Sequence, residues 1–266
     1  MNIVIYANCQ GAALKFYMQN KIKGKYTVLS SYTYFKKPHK LPKKILHKAD
    51  IFIFQFVNKQ HGICSTDPNS ENNIFTLLNK HCIKIGFPTI FQSALWPIIP
   101  GFGSCIDGHN IIKNLKMKNK SLDDIMKMYD DNEIIFEMNS RYERCEKHTS
   151  DIENYYFTQT ELDIVPVTKF IKDNYKHYDL FYTHCHPTSY VFIYITNQII
   201  KMLNKFNMDF KEYNNIFNHD KSEGVINSDK WPKSKYTNSE LNCNIPFAQM
   251  NETIYKKTIA TIYNSP

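Results

Sequence analysis

Hydrophobic positions fall into short runs punctuated by turn residues, and the runs alternate between strand-like and helix-like spacing. Ile3–Tyr6 is an unbroken apolar run rich in β-branched residues. The turn signal Asn8-Cys9-Gln10-Gly11 follows, and then Ala12, Ala13, Leu14, Phe16, Tyr17 and Met18. Runs and flanks of this kind predict a buried strand, a tight turn and a helix. Tyr26–Tyr32, Asp50–Asn58 and Ile83–Phe87 read as three further strands. The Asp50–Asn58 run is almost continuously apolar, which suits a parallel strand covered on both faces.

Asn72–Lys80 reads as a short helix and Gly108–Lys120 as containing one. Ser121-x-x-Asp124 is an N-cap pattern opening a helix that runs to Asp131. Glu133–Lys147 and Asp151–Thr158 are charged amphipathic helical pieces, and Val167–Tyr175 is a further helix. Asp179–Thr183 reads as a short strand that runs into His184-Cys185-His186-Pro187-Thr188 and then into a helix over Ser189–Asn204. Residues 206–244 are polar and aperiodic, which predicts loops, and Glu252–Tyr263 reads as the last helix. Phe87–Gly103, aromatic and proline-rich, is either a pocket wall or a packed core loop. Strands separated by helix or loop connections argue for an α/β fold with a parallel, doubly wound sheet. No repeat or low-complexity linker divides the 266 residues, so a single domain is expected.

No apolar run reaches the length of a membrane span. The chain opens directly on a strand without a basic leader, which predicts a cytoplasmic protein. The seven cysteines are scattered with no C-x-x-C pair, which points to a reducing compartment rather than a disulfide framework. The net charge of +8 is almost all lysine, with arginine only at Arg141 and Arg144. Nucleic-acid readers lean on arginine for bases and phosphates, so this balance argues against a nucleic-acid partner. A basic surface still suits an anionic ligand such as a nucleotide or a phosphorylated cofactor.

The two strand–turn–helix units carry the chemistry. Cys9 lies at the mouth of a helix, where unpaired N–H groups and the helix dipole favour negative charge. The thiolate is the reactive form of cysteine. Gly11 lets the backbone approach a ligand. The arrangement is like the elbow of an α/β hydrolase with sulfur in place of oxygen, although Cys9 also reads as a small residue capping a βα unit. His186, in the second turn, is of a type suited to act as a base near neutrality. Backbone N–H groups around Cys9 and Gly11, with the amide of Gln55 or Asn58, are candidates to stabilise an oxyanion. Gln55 alternatively bonds a neighbouring loop. If the sheet is parallel, both turns lie at strand carboxyl ends on one edge.

His184, Cys185, His186 and Cys9 could ligate a metal, but their spacing matches no common zinc pattern and none is expected. Arg141 and Arg144, one turn apart on one helix face, read as a solvated face or as an anion clamp. The basic loop Phe35–Lys44 reads as a solvated connection or as a phosphate site.

The turn Tyr6-Ala7-Asn8-Cys9-Gln10-Gly11 resembles the G-N-C-Q signature that opens the WcbI family of capsular polysaccharide biosynthesis proteins. Leu180-Phe181-Tyr182-Thr183-His184-Cys185-His186-Pro187-Thr188 resembles that family's late LF-x-T-x-x-HP block. Gln55 within Phe52–Phe56 and the Phe87–Pro97 loop fall between them in matching order. The resemblance covers roughly residues 1–205 and rests on the order of short motifs, leaving 206–266 as a helical and loop extension.

It implies a plan similar to SGNH hydrolases: a three-layer α/β sandwich with a mostly parallel sheet and additional helices. It also implies coenzyme A or acetyl-coenzyme A as acyl donor, and acetylation of a sugar hydroxyl in capsule or other surface polysaccharide synthesis. Carried over, Cys9 takes the nucleophile place and His186 the base. Asn8, Gln10 and Gly11 surround the reacting centre, with Thr183 and His184 beside the base and Arg141 or Arg144 near coenzyme phosphates. Ala7 replaces the family's Gly, and Thr183 stands where SGNH enzymes carry the triad Asp, so the orienting group of His186 is open. A thiol esterase or deacylase, or a non-catalytic coenzyme- or glycan-binding module, are the rival readings.

Overall fold

The computed structural model describes residues 1–31, 41–98, 106–219, 231, 233–244 and 251–265. In chain order the elements are β1 (Asn2–Ala7), α1 (Gln10–Gln19), β2 (Lys25–Ser30), α2 (Lys43–His47), β3 (Ile51–Gln55), β4 (Ile83–Phe87), α3 (Ile106–Met117), α4 (Leu122–Asp130), α5 (Met138–Gln159), β5 (Asp163–Ile164), α6 (Val167–Asn174), β6 (Phe181–Thr183), β7 (His186–Pro187), α7 (Ser189–Asn204), α8 (Lys235–Leu241) and α9 (Glu252–Asn264), with short 3-10 turns between them. They fall into two compact units built from interleaved segments. The first comprises Met1–Ile90, His148–Ile171 and His186–Ser228, and the second Phe91–Lys147, Lys172–Cys185 and Asp229–Pro266.

The first unit is a five-stranded sheet in the order β2-β1-β3-β4-β5, parallel at every pairing. β1 and β3 sit in its middle, and every residue from Ile3 to Ala7 and from Ile51 to Gln55 is buried. That is why their sequences run apolar without alternation. Each large side chain so buried contributes about 1.5–3 kcal/mol relative to exposure.

Alternation divides the side chains between the two faces. α1 lies on the face of Ile5, Ala7 and Val28, and a Cβ on Gly11 would meet their side chains at 2.9–3.4 Å. α7 packs against α1 on this side, with Tyr17 stacked on Phe192 at 6.1 Å between ring centres. The opposite face carries Val4, Tyr6, Phe52 and Phe54, joined by Phe56, Phe75 and Tyr156. There Phe54 meets Phe75 edge-on at 5.0 Å, and Phe56 stacks on Tyr156 of α5 at 4.0 Å. Helix, sheet and mixed helical cover make the three-layer α/β sandwich expected from the sequence.

In the second unit α3 and α4 pack against α9. An aromatic cluster of Tyr129, Phe136 and Tyr236 ties α4 to α8. The Glu240 carboxylate accepts from the amides of Phe136 and Met138, both at 2.9 Å, and so caps the start of α5.

Several expectations change. Glu133–Lys147 and Asp151–Thr158 are not two helices but parts of one, α5, which begins only after Glu137 adopts a left-handed backbone with φ 53°. Asn72–Lys80 holds a 3-10 turn over Ile74–Leu77 rather than an α-helix. The region 206–244, expected as loops, contains α8, capped by the Ser234 hydroxyl and closed by Asn242 at φ 53°. β5, not expected at all, is two residues long because only Asp163 and Ile164 pair with β4. β6 lies outside the five-stranded sheet, so the late turn does not reach that sheet's edge as one of its strands. The Phe87–Gly103 segment is packed core as far as it is described, with Ile90, Trp96 and Ile98 buried. The tip of the basic loop, residues 32–40, and residues 99–105 lie outside the described residues.

Candidate active site

The strand order places a switch point at the carboxyl ends of β1 and β3. The chain leaves β1 toward β2 on one side and β3 toward β4 on the other, and open α/β sheets bind ligands in the crevice this leaves. Cys9 stands there, two residues beyond β1, half-exposed at the start of α1 with φ −54° and ψ −26°.

The turn beneath Cys9 is fastened by a chain of amides. The Asn8 N–H donates to Gln55 Oε1 at 2.8 Å, and Asn8 Oδ1 accepts from the Gln10 N–H at 2.9 Å. Gln55 Nε2 donates to Gln10 Oε1 at 2.7 Å. Gln10 Oε1 also accepts from the Ile90 N–H at 3.2 Å, while Gln10 Nε2 donates to the Ile90 carbonyl at 2.7 Å. Gln10 and Gln55 are 2% and 1% exposed. Buried carboxamides must find partners, and these two find each other, so they join the ends of β1 and β3 to the segment after β4. Gln55 therefore bonds a neighbouring turn, one of the two readings open from the sequence.

The Gly11 amide donates to the Asn8 carbonyl at 3.0 Å. The missing side chain of Gly11 serves the close approach of α1 to the sheet. Asn58 is exposed, and its Oδ1 accepts from the Gln60 N–H at 3.1 Å, capping the 3-10 turn Lys59–Cys64.

His186 is half-buried in the same unit as Cys9 and precedes α7. Burial lowers its pKa from the ordinary histidine value, because the charged ring loses hydration. A neutral imidazole at physiological pH is the form that accepts a proton.

Thr183, His184 and Cys185 belong to the second unit. Thr183 is buried, and its Oγ1 lies 3.9 Å from Cys185 Sγ. The His184 ring stacks on Trp231 and meets Phe91 edge-on, each at 5.0 Å, and its carbonyl accepts from the Gln92 N–H at 2.7 Å. Among the described residues no group of three or more His, Cys, Asp or Glu side chains is arranged to hold a metal. No described helix is long and apolar enough to cross a membrane.

The two arginines do not share a solvated face. Arg144 is exposed. Arg141 is 3% exposed, and its guanidinium donates to the carbonyls of Ser93, Trp96 and Pro97 at 3.1–3.4 Å. The helix turns Arg141 inward because the Ser93–Pro97 loop presents three carbonyls that a planar fork of donors can satisfy together. Sequence reading also missed Ile90, which anchors Gln10 through its main chain alone and so leaves no residue-type signal. It missed Lys233 too, buried over the Trp96 ring at 3.5 Å.

A solved structure of WcbI, described as a novel polysaccharide biosynthesis enzyme and as the native protein without a disulfide bond between coenzyme A and one of its cysteines, matches this fold. The match covers 99% of this chain and 93% of that one, with a TM-score of 0.56 and 14% sequence identity. No curated protein sequence matches the chain. The model of the WcbI polysaccharide biosynthesis enzyme family matches residues 2–205, most of the chain, and the protein therefore belongs to the WcbI family.

Proposed function

We propose that the protein is a coenzyme A-dependent acyltransferase that esterifies a sugar hydroxyl in the synthesis of a surface or capsular polysaccharide. The observation that carries this reading is half-exposed Cys9 at the switch point, on a turn fastened by its own amides. A half-exposed cysteine at the carboxyl ends of β1 and β3 fits an acyl-coenzyme donor. The solved WcbI is described as the native protein without a disulfide between coenzyme A and a cysteine, and that association of coenzyme A with a cysteine supports the reading. When bound, the donor supplies an activated acyl group.

With the donor bound, Cys9 Sγ would take the acyl group as the donor's C–S bond breaks, and the Cys9 thiol proton, held meanwhile on His186, would pass to the departing sulfur. His186 then removes the proton of the acceptor hydroxyl, whose oxygen attacks the acyl-Cys9 thioester. The sugar ester would form, and His186 would return its proton to the released Cys9 sulfur. Arg141 is engaged inside the protein by the carbonyls of Ser93, Trp96 and Pro97 and so is not the group that meets coenzyme phosphates. Asn8, Gln10, Gly11 and Gln55 act by fixing the turn, while Asn58 caps the Lys59–Cys64 turn.

The Thr183 substitution supports a second reading, a coenzyme- or glycan-binding module without turnover. Incubation with acetyl-coenzyme A, followed by intact mass measurement beside Cys9→Ser, separates the two. A single acetyl adduct absent from the variant supports covalent transfer. Saturable binding with neither adduct nor turnover on any sugar supports the module. Absence of binding refutes the coenzyme reading.

A further inference from the structure

A second recess opens in the first unit, on the face of the sheet away from α1. Its volume is about 640 Å³, within the range of small-molecule sites (~300–1,000 Å³). Lys84 marks its position. It pairs with Phe52 in register, three residues before the end of β4, so it lies about 10 Å below the carboxyl edge where Cys9 stands. The recess is thus distinct from the crevice at the switch point.

Its walls are chemically mixed in a particular way. Phe75 and Leu162 supply an apolar floor, and around them stand the carboxamides of Asn69 and Gln159, the Glu161 carboxylate and the single cation Lys84. Acceptors therefore outnumber cations.

Asn69 is held in place from behind. Its Nδ2 donates to the Tyr155 hydroxyl at 3.2 Å, and that hydroxyl bonds both carboxylate oxygens of the buried Asp67 at 3.1 Å. Asp67 Oδ1 in turn accepts from the Asn69 N–H at 3.0 Å. With its amide nitrogen and its main-chain N–H both tied, Asn69 offers its Oδ1 as an acceptor in the lining of the recess. Gln159 Nε2 is likewise engaged by Thr158 Oγ1 at 3.3 Å. Fixing these groups before a ligand arrives lowers the ordering cost of binding.

An acceptor-rich rim over an apolar floor selects a ligand with many O–H donors and an apolar ring face. It disfavours a phosphate, which would meet the Glu161 carboxylate beside one lysine. We infer that this recess is a carbohydrate-binding subsite, which holds a sugar unit of the glycan by its hydroxyls at a distance from the reacting thiol. The inference rests on the glycan half of the proposed function and not on its coenzyme half.

The test is binding of the full-length protein to an array of bacterial surface oligosaccharides two to six sugars long, repeated with the double variant Asn69→Ala/Glu161→Ala and with Cys9→Ser. Both groove side chains are exposed, so the double variant is expected to keep its fold, and its melting temperature checks this. The expected result is binding of the wild type to at least one oligosaccharide, weakened at least tenfold in the double variant and unchanged in Cys9→Ser. No oligosaccharide bound, or binding indifferent to the groove substitutions, overturns the inference. Groove-dependent glycan binding in a protein that takes no acetyl group would leave the subsite standing while the acyltransferase reading fell.

Discussion

Replacing Gln55 by Glu changes one NH₂ group to oxygen at the centre of the amide chain. The shape is kept and the hydrogen bonding is not. One carboxylate oxygen still accepts from the Asn8 N–H, but the other now faces Gln10 Oε1, an acceptor 2.7 Å from the present Gln55 nitrogen. Rotating the Gln10 amide gives no relief, because its nitrogen would then face the Ile90 N–H. The new carboxyl can bond Gln10 only when protonated, and at 1% exposure it gains little from water. Its pKa in the folded protein is therefore raised above its unfolded value of about 4.3.

The sign follows. The folded state holds the proton more tightly, so the variant's stability is greatest below the unfolded value and falls as pH rises through the folded one, by about 1.4 kcal/mol per unit of separation. Gln55→Leu makes the companion measurement. It orphans the Asn8 N–H at a cost of about 1–3 kcal/mol with no pH dependence of its own, roughly 2–4 °C in melting temperature per kcal/mol. The assay is thermal unfolding of both variants and wild type from pH 4 to pH 8, read as differences from wild type. A Gln55→Glu deficit that is the same at both ends of the range would refute the assignment of Gln10 Oε1 as the facing acceptor.

A Cβ on Gly108 would fall 1.9 Å from the Pro97 carbonyl oxygen, so Gly108→Ala is expected to cost about 1–3 kcal/mol or more, measured by denaturant unfolding. Arg141→Met leaves the carbonyls of Ser93, Trp96 and Pro97 without their buried donor. A loss of about 3 kcal/mol is expected, and amide exchange over residues 93–98 should accelerate. With the His186 pKa held below its usual value of about 6.5, the acid limb of acyl transfer should fall below that pH and vanish in His186→Ala. An acid limb centred above 7 would exclude His186 as the base. Burial of neutral His186 also contributes stability above its unfolded pKa, and that contribution is lost as pH falls through the lower folded one.

What was legible in the sequence was what depends on local chemistry. β3 announced itself because a strand covered on both faces must be apolar throughout. The Cys9 turn did so because a β-branched run, Asn and Gly, and then helix formers make a strand–turn–helix signal. Ser121 and Asp124 form the capping box their spacing implied. The rest depends on distant partners. Arg141 has the sequence environment of a surface helix, and only the carbonyls of a loop 44–48 residues away turn it inward. β5 has two paired residues and no periodicity to detect, and α8 is too short to show a stripe. The bonds of Gln10 to Gln55 and Ile90 have no local signal, because nothing near it in sequence reveals that those residues lie within bonding distance.

The amide chain at the first turn also has a kinetic consequence. Protein segments open locally at free energies from near zero up to that of global unfolding, and loops generally lie at the low end. The Asn8–Gly11 turn is a loop by position, yet Gln55 and Gln10 tie it to the two most buried strands and to Ile90. Its amides should exchange with solvent as slowly as those of β1 and β3. Modification of Cys9 by a thiol reagent should then follow the accessibility of the closed structure, first order in reagent with no plateau set by an opening rate. Half-exposed Cys9 thus sits on a part of the molecule that rarely opens.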